Sequence, residues 1–183
     1  LTTVDAATVV ASFDVATAVA SIVSVASATP AIAGGTIALT TKTDTLTGSA
    51  GADIFNGVVQ AAGATGTTAA PGDSVTGGDG VDTLGLSVAG TLVADYTIAA
   101  LTTSSVEKVL LSNFETSALN NIVDTSLMTG ITHAGLTASA ATGDTQFTNL
   151  KNLVEGEMHN GSGDVTLTYG TAVVAGTADS QTL

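Results

Sequence analysis

A nine-residue stretch, Gly77–Gly85, combines the residue types that bind a hard cation. Glycines occupy its first, second and fourth positions, Asp82 the sixth, and a large apolar residue, Leu84, the eighth. Glycine tolerates positive φ and can turn backbone carbonyls inward. Ca²⁺ binds six to eight oxygens, taken from carboxylates and carbonyls together, so a glycine turn followed by an Asp supplies both kinds. Two residues after the Asp we expect a strand, with the Leu facing a core.

The same pattern occurs a second time, 29 residues earlier. Thr43–Phe55 aligns without gaps on Gly72–Leu84, and both copies have the form x-D-x-U-T-G-x-x-G-x-D-x-U, where U is a large apolar residue. Within each copy the two aspartates are nine residues apart: Asp44 and Asp53 in the first, Asp73 and Asp82 in the second. This spacing predicts two successive turns of a coil with one Asp in each. The alternative is ordinary Asp-Gly turns between strands.

The rest of the chain must position these turns, and its composition favours a mainly all-β fold. Of the 183 residues, 44% are hydrophobic but only 3% are aromatic, so the core must be aliphatic, which suits thin, regularly stacked layers. The pattern predicts strands at Thr36–Thr40, Thr83–Val88, Val106–Leu111, Ile131–Ala138, Leu150–Val154 and Val165–Tyr169. Short strands joined by such turns predict a parallel β-solenoid or β-roll-like domain over 36–183, with an antiparallel sandwich as the alternative.

Residues 1–35 differ from the remainder and predict an N-terminal arm. Val9, Phe13, Ala16, Ala20 and Val23 would share one face of a helix that begins near Asp5 and ends before Pro30. The many β-branched residues argue against a helix. The competing interpretation is an extended segment that pairs with a neighbouring subunit.

The charge balance points to metal cations as partners. Three lysines stand against 16 acidic residues, for a net charge of −13. There is no basic patch for nucleic acid, and no run is long and apolar enough to span a membrane. Without bound cations the acidic turns would repel one another, which predicts a metal-dependent fold. Cysteine is absent, which excludes disulfides and thiolate metal sites.

No arrangement of residues indicates an enzyme. The only histidines are His133 and His159, and the nucleophile-elbow and phosphate-loop motifs are missing. One face of a strand would carry three alternating residues, Glu155, Glu157 and His159. This pattern weakly indicates a transition-metal site, but it more often marks an exposed polar face or turn. Gly161–Asp164 is a further acidic glycine turn without the second Asp of the repeated pattern.

The two copies resemble RTX calcium-binding repeats, and their order resembles bacterial S-layer and surface-filament proteins of the RTX type. In that family a D-x-L-T-G-x-A-G-x-D-x-F block is followed by a Thr/Ala-rich loop, a G-G-x-G-x-D block and a rung matched here by Val106–Leu111. The resemblance covers roughly residues 40–155 of this chain. It implies an extracellular, right-handed β-solenoid with Ca²⁺ held in its turns, exported by a type I system and assembled on the cell surface.

Carried over position by position, the resemblance implies a set of Ca²⁺ ligands. Asp53 and Asp82 match the motif carboxylates, Asp44 and Asp73 the carboxylates of the preceding turn, and Asp79 is an additional candidate. Turn geometry and carbonyls would come from Gly48, Gly51, Gly77, Gly78 and Gly80. The first copy has Gly48-Ser49-Ala50-Gly51 where the family prefers paired glycines, so we expect weaker binding there.

Together these features predict a structural, non-enzymatic protein of the bacterial cell surface. It would self-assemble into an S-layer, sheath or filament as a homo-oligomer or polymer, through contacts that include the N-terminal arm. Fold and assembly would depend on Ca²⁺. The alternatives are an adhesin or carbohydrate-binding module that contacts a surface glycan, and a fragment of an RTX-type secreted hydrolase.

Overall fold

The computed structural model of the chain describes residues 33–60, 65–98 and 101–175. The described residues form thirteen strands and no helix: β1 (Thr36–Ala38), β2 (Thr45–Thr47), β3 (Ile54–Gln60), β4 (Ser74–Thr76), β5 (Thr83–Gly90), β6 (Tyr96–Ile98), β7 (Thr102–Ser104), β8 (Lys108–Glu115), β9 (Asn121–Asp124), β10 (His133–Ser139), β11 (Thr145–Leu150), β12 (Glu155–Met158) and β13 (Val165–Tyr169). The predicted N-terminal helix or extended arm lies almost entirely outside the described residues.

The strands build three parallel sheets. The first has the order β1-β3-β5-β8-β10-β12, the second β13-β11-β9-β6 and the third β2-β4-β7. The chain passes from sheet to sheet and returns one strand further along, which is the geometry of a β-solenoid. Thr83 pairs with Lys108 and Lys108 with His133, so those two coils are 25 residues long. The predicted parallel solenoid is confirmed, and the antiparallel sandwich is excluded for this part of the chain.

The core is a stack of aliphatic layers inside the coil. Inward residues of neighbouring strands lie in register, as in the column Phe55, Leu84, Val109 and Ala134, all of them fully buried. Each fully buried Leu or Val contributes roughly 1.5–3 kcal/mol relative to exposure. The core is therefore formed by regular stacking of mainly aliphatic side chains, with Phe55 and Phe147 as its largest fully buried residues.

The predicted strands vary in accuracy. Val165–Tyr169 coincides with β13, and Thr83–Val88 lies within β5. Leu150–Val154 is wrong, because Leu150 ends β11 and the next four residues form a corner. The strand there is Thr145–Leu150, whose Thr-rich sequence has the polar character of a connection although Thr145 and Phe147 are buried. In the described part of the chain no helix is long and apolar enough to cross a membrane.

Candidate cation-binding corners

The two sequence copies are stacked in adjacent coils. Thr45 pairs with Ser74 and Ile54 with Thr83, so the 29-residue offset is the length of this coil. Asp44 and Asp73 stand just before β2 and β4 in the third sheet, whereas Asp53 and Asp82 stand just before β3 and β5 in the first. The nine-residue spacing thus joins two corners of one coil.

At the first-sheet corner, acidic side chains hydrogen-bond to the backbone of the preceding coil. Asp53 Oδ1 accepts from Gly35 N at 2.5 Å, Asp82 Oδ1 from Asp53 N at 2.7 Å, and Glu107 Oε2 from Asp82 N at 2.8 Å. We call Asp53, Asp82 and Glu107 the carboxylate ladder. The ladder satisfies buried amides at the corner, where an unpaired N–H would be costly.

Glu107 was not among the predicted site residues. It occupies the position that Asp53 and Asp82 hold, directly before a strand of the first sheet. The coil from Asp82 to Glu107 is 25 residues long, whereas the coil from Asp53 to Asp82 has 29. A search of the sequence with a fixed 29-residue repeat therefore does not align Glu107 with the two aspartates.

The third-sheet corner is also satisfied by hydrogen bonds. Asp73 is fully buried, and its two oxygens accept from Asp44 N at 2.9 Å and Ala70 N at 2.8 Å. Asp44 accepts from the backbone and hydroxyl of Thr40, at 2.6 and 2.8 Å. Every oxygen of these two predicted ligands therefore already has a donor from the protein.

Asp53 is satisfied in the same way. Besides the bond from Gly35, its Oδ2 accepts from Ser49 N at 2.5 Å and from Ser49 Oγ at 2.9 Å. The amides of Gly35 and Ser49 hold the pKa of Asp53 below its usual value, because they stabilise the charged form. Ser49 thus gives this carboxylate donors that a glycine could provide only in part.

Asp82 differs, because its Oδ2 is buried and has no hydrogen-bond partner. The residue is fully buried, and this burial raises its pKa, with repulsion from Glu107, Asp53 and the exposed Asp79 adding to the effect. A Cβ built on Gly77 would overlap both Asp82 Oδ2 and the carbonyl oxygen of Ser105. The same arrangement occurs in the first copy, where a Cβ on Gly48 would overlap Gly77 O and Asp53 Oδ2, so Asp82 is distinguished by the missing donor on its Oδ2.

The predicted turn glycines have two different roles. Gly78 and Gly80 have φ of 111° and 115°, so they provide the positive φ that was predicted. Gly48 and Gly77 are not among the positive-φ residues; they are required for space, because a Cβ on Gly48 would lie 2.6 Å from Asp53 Oδ2 and one on Gly77 would meet Asp82 Oδ2. Gly51 donates its N–H to Ser49 Oγ at 3.1 Å and lies directly against Gly80 of the next coil.

Within the described residues, no three His, Cys, Asp or Glu side chains are grouped so as to hold a metal ion. A cation at the Asp82 corner would therefore depend on carbonyl oxygens as well as on carboxylates. The oxygens present there, Asp82 Oδ2 and Ser105 O, are of the hard type that Ca²⁺ prefers. Two oxygens are fewer than the six to eight that Ca²⁺ takes, so Ca²⁺ binding at this corner stays a prediction.

The other two candidate regions are held by contacts within the protein. Glu157 lies 2.6 Å from Lys108 Nζ and 3.1 Å from His159 Nε2, while His133 Nε2 lies 3.2 Å from Glu155. This patch is a set of ion pairs and hydrogen bonds on the outer face of the first sheet. In the Gly161–Asp164 turn the backbone N–H of Asp164 donates to Asp144 Oδ1 at 2.8 Å, and the Asp164 side chain is exposed.

Comparison of the chain with protein-family models, with curated proteins and with solved structures gives no match.

Proposed function

We propose that this chain is a Ca²⁺-stabilised β-solenoid module of an extracellular bacterial surface protein, with a structural role in self-assembly. The observation that carries the Ca²⁺ part of the proposal is the buried, unpartnered Asp82 Oδ2 beside the Ser105 carbonyl. A bound cation would bridge the two oxygens and neutralise a carboxylate whose burial is otherwise unfavourable.

The charge around Asp82 supports a cation as the bridging group. Asp53, Asp79 and Glu107 all act on Asp82 by repulsion. The chain has three lysines and no arginine, and one of them, Lys108, pairs with Glu157. An external cation would supply the positive charge that the sequence does not place at this corner.

The outer face of the first sheet supports contact with a second copy. Ile54, Val58 and Phe114 are 45%, 36% and 53% exposed, although large apolar residues usually pack inside. Their neighbours in register include Ser87, Ala89 and Thr83, which are small and uncharged. Ile54, Val58 and Phe114 therefore form an uncharged part of this face, apart from its charged Lys108–Glu157 patch. An uncharged surface suits packing against an identical one, since a like-charged surface would repel its copy.

The proposal is tested with the full chain in EGTA and in excess Ca²⁺, by thermal unfolding and by sedimentation. We expect Ca²⁺ to raise Tm and to shift the protein from smaller to larger species. At 100 times Kd, a single site adds about 2.7 kcal/mol. D82N should lose much of the rise in Tm, whereas D164N, at an exposed acidic turn, should keep it.

Assembly has a second test. Removal of residues 1–33 should abolish the large species while leaving a folded monomer, because the arm is proposed to pair with the next subunit. A polymer that still forms would contradict the role of the arm.

Two outcomes of the EGTA and Ca²⁺ experiment would contradict the proposal. A fold and an oligomeric state that are both unchanged by EGTA would contradict the Ca²⁺ proposal. Monomers that persist in Ca²⁺ and bind a glycan array would favour an adhesin.

A further inference from the structure

A second group of buried polar atoms lies where the chain passes from the first sheet to the second. Asn113 and Glu115 alternate with Leu111 on the inward face of β8, and Asn121 begins β9; all are fully buried. The residues that pair with Asn113 and Glu115 in the preceding coil are Val88 and Gly90. This coil therefore replaces an apolar interior with carboxylate and amide groups.

The hydrogen bonds at this corner fix the orientation of both amides. Asn113 Nδ2 donates to Asp144 O and Thr145 Oγ1, each at 3.0 Å, so its Oδ1 must face the other way. That Oδ1 accepts from Glu115 N at 3.2 Å and from Asn121 Nδ2 at 3.3 Å. Because Nδ2 of Asn121 is held there, its Oδ1 is left buried without a donor.

Glu115 has a free oxygen as well. Its Oε1 accepts from Leu92 N at 2.9 Å and from Ser117 N at 2.6 Å, but its Oε2 is buried and unpartnered. Burial alone would raise the pKa of Glu115, yet the Leu92 amide and the hydroxyl and amide of Ser117 outweigh it and hold the pKa below its usual value. The carboxylate is therefore kept in its charged form. In the described residues no Lys or His makes an ion pair with it.

We propose that this corner is a separate site for a hard cation of the Ca²⁺ type. Its ligands would be Glu115 Oε2 and Asn121 Oδ1, both buried and without a hydrogen bond, with the hydroxyl oxygen of Ser117, which lies against the Glu115 carboxylate, as a third. A carboxylate, an amide carbonyl and a hydroxyl form an all-oxygen donor set, as hard cations require. The charge of the cation would balance a buried carboxylate that lacks a counter-ion.

Terbium luminescence tests this site selectively, because Tb³⁺ replaces Ca²⁺ and emits when a nearby tyrosine is excited. Tyr96 pairs with Asn121 in register, and neighbouring strands lie about 4.8 Å apart. We expect sensitised emission from the full chain that Ca²⁺ displaces. Y96F should remove the emission while leaving the Ca²⁺-dependent rise in Tm.

Variants separate this site from the Asp82 corner. E115Q should weaken Tb³⁺ binding by at least about tenfold, the loss that even outer-shell partners of metal sites give. S117A, a milder change that does not alter the charge, should weaken it less, and D82N should leave it unchanged. Absence of Tb³⁺ emission, or emission that is unchanged in both E115Q and S117A, would overturn the proposal and indicate that the free oxygens bind a buried water.

Discussion

The two copies share one pattern of Asp, Gly and apolar residues and lie in adjacent coils, yet Asp53 and Asp82, which occupy the same position in it, are in different states. Asp53 accepts three hydrogen bonds on its two oxygens, two of them from Ser49. Asp82 accepts one on Oδ1 and leaves Oδ2 without a partner. At the position of Ser49 the second copy has Gly78, with a φ of 111°.

This difference shows how one residue can change the chemistry of a corner. In the first copy a serine supplies donors, so the carboxylate is satisfied by the protein itself. In both copies a carbonyl lies near this carboxylate, Gly77 O in the first and Ser105 O in the second, but only Asp82 Oδ2 lacks a donor. The account therefore assigns a structural role to Asp53 and a cation-binding role to Asp82.

The largest effect is expected from D82A in the presence of Ca²⁺. The substitution removes the acceptor for the buried Asp53 N–H and the proposed cation ligand together. We expect a loss of about 3 kcal/mol in the free energy of unfolding. D164A is the matched control and should change it by less than about 0.5 kcal/mol. Equal losses for the two variants, measured by urea unfolding, would remove the distinction between the sites.

In EGTA, D53N and D82N should have opposite effects on stability. D53N replaces one of the two acceptor oxygens by an NH₂ group, which cannot accept the hydrogen bonds that Ser49 or Gly35 donates, so Tm should fall. D82N keeps an oxygen for Asp53 N and places an NH₂ near the Ser105 carbonyl, so Tm should rise. A fall in Tm for both variants would indicate that Asp82 is as well satisfied as Asp53.

In EGTA, acid should change the contributions of Asp82 and Asp53 to stability in opposite directions, so the effects of D82N and D53N, which have opposite signs at pH 7, should both become smaller. The pKa of Asp82 is raised above 3.8, so its contribution to stability is present below the unfolded value and is lost as the pH rises through the folded value. The pKa of Asp53 is lowered, so its contribution is present above 3.8 and is lost as the pH falls through the folded value. Urea unfolding between pH 7 and pH 3 should show the stabilisation by D82N shrinking on acidification, and the destabilisation by D53N shrinking too. A D82N effect that is constant across this range would contradict the raised pKa.

The smallest effect is expected from S49A, which removes only the hydroxyl donor to Asp53 and keeps the backbone donor. A single hydrogen bond of this kind corresponds to a fall in Tm of roughly 2–4 °C in a chain of this size. Because Ser49 N still donates to Asp53 Oδ2, the variant should gain no response to Ca²⁺ at the first copy. A fall as large as that of D82A would mean that Ser49 has a further structural role.

The sequence alone was sufficient for the class of fold and for the register of the two copies. The 29-residue offset corresponds to a single coil. Each coil has the same corner, and each corner requires Gly, Asp and apolar residues at the same positions, so the pattern repeats with the length of the coil. The sequence predicted weaker cation binding at the first copy, but it did not show that both oxygens of Asp53 are satisfied by the protein, since that depends on which donors reach each oxygen. The sequence analysis also missed Glu107 and Glu115. Glu107 follows a coil of a different length, and Glu115 has the sequence position of an ordinary residue at the end of a strand, so its importance depends on its burial.

The central claim is that the Asp82 corner binds a cation and the Asp53 corner does not. The most direct measurement is an anomalous difference map from crystals of the full chain grown with Tb³⁺. The account predicts a peak within coordination distance of Asp82 Oδ2 and the Ser105 carbonyl, and none beside Asp53. A peak at both corners, or a water in place of the ion at Asp82, would contradict it.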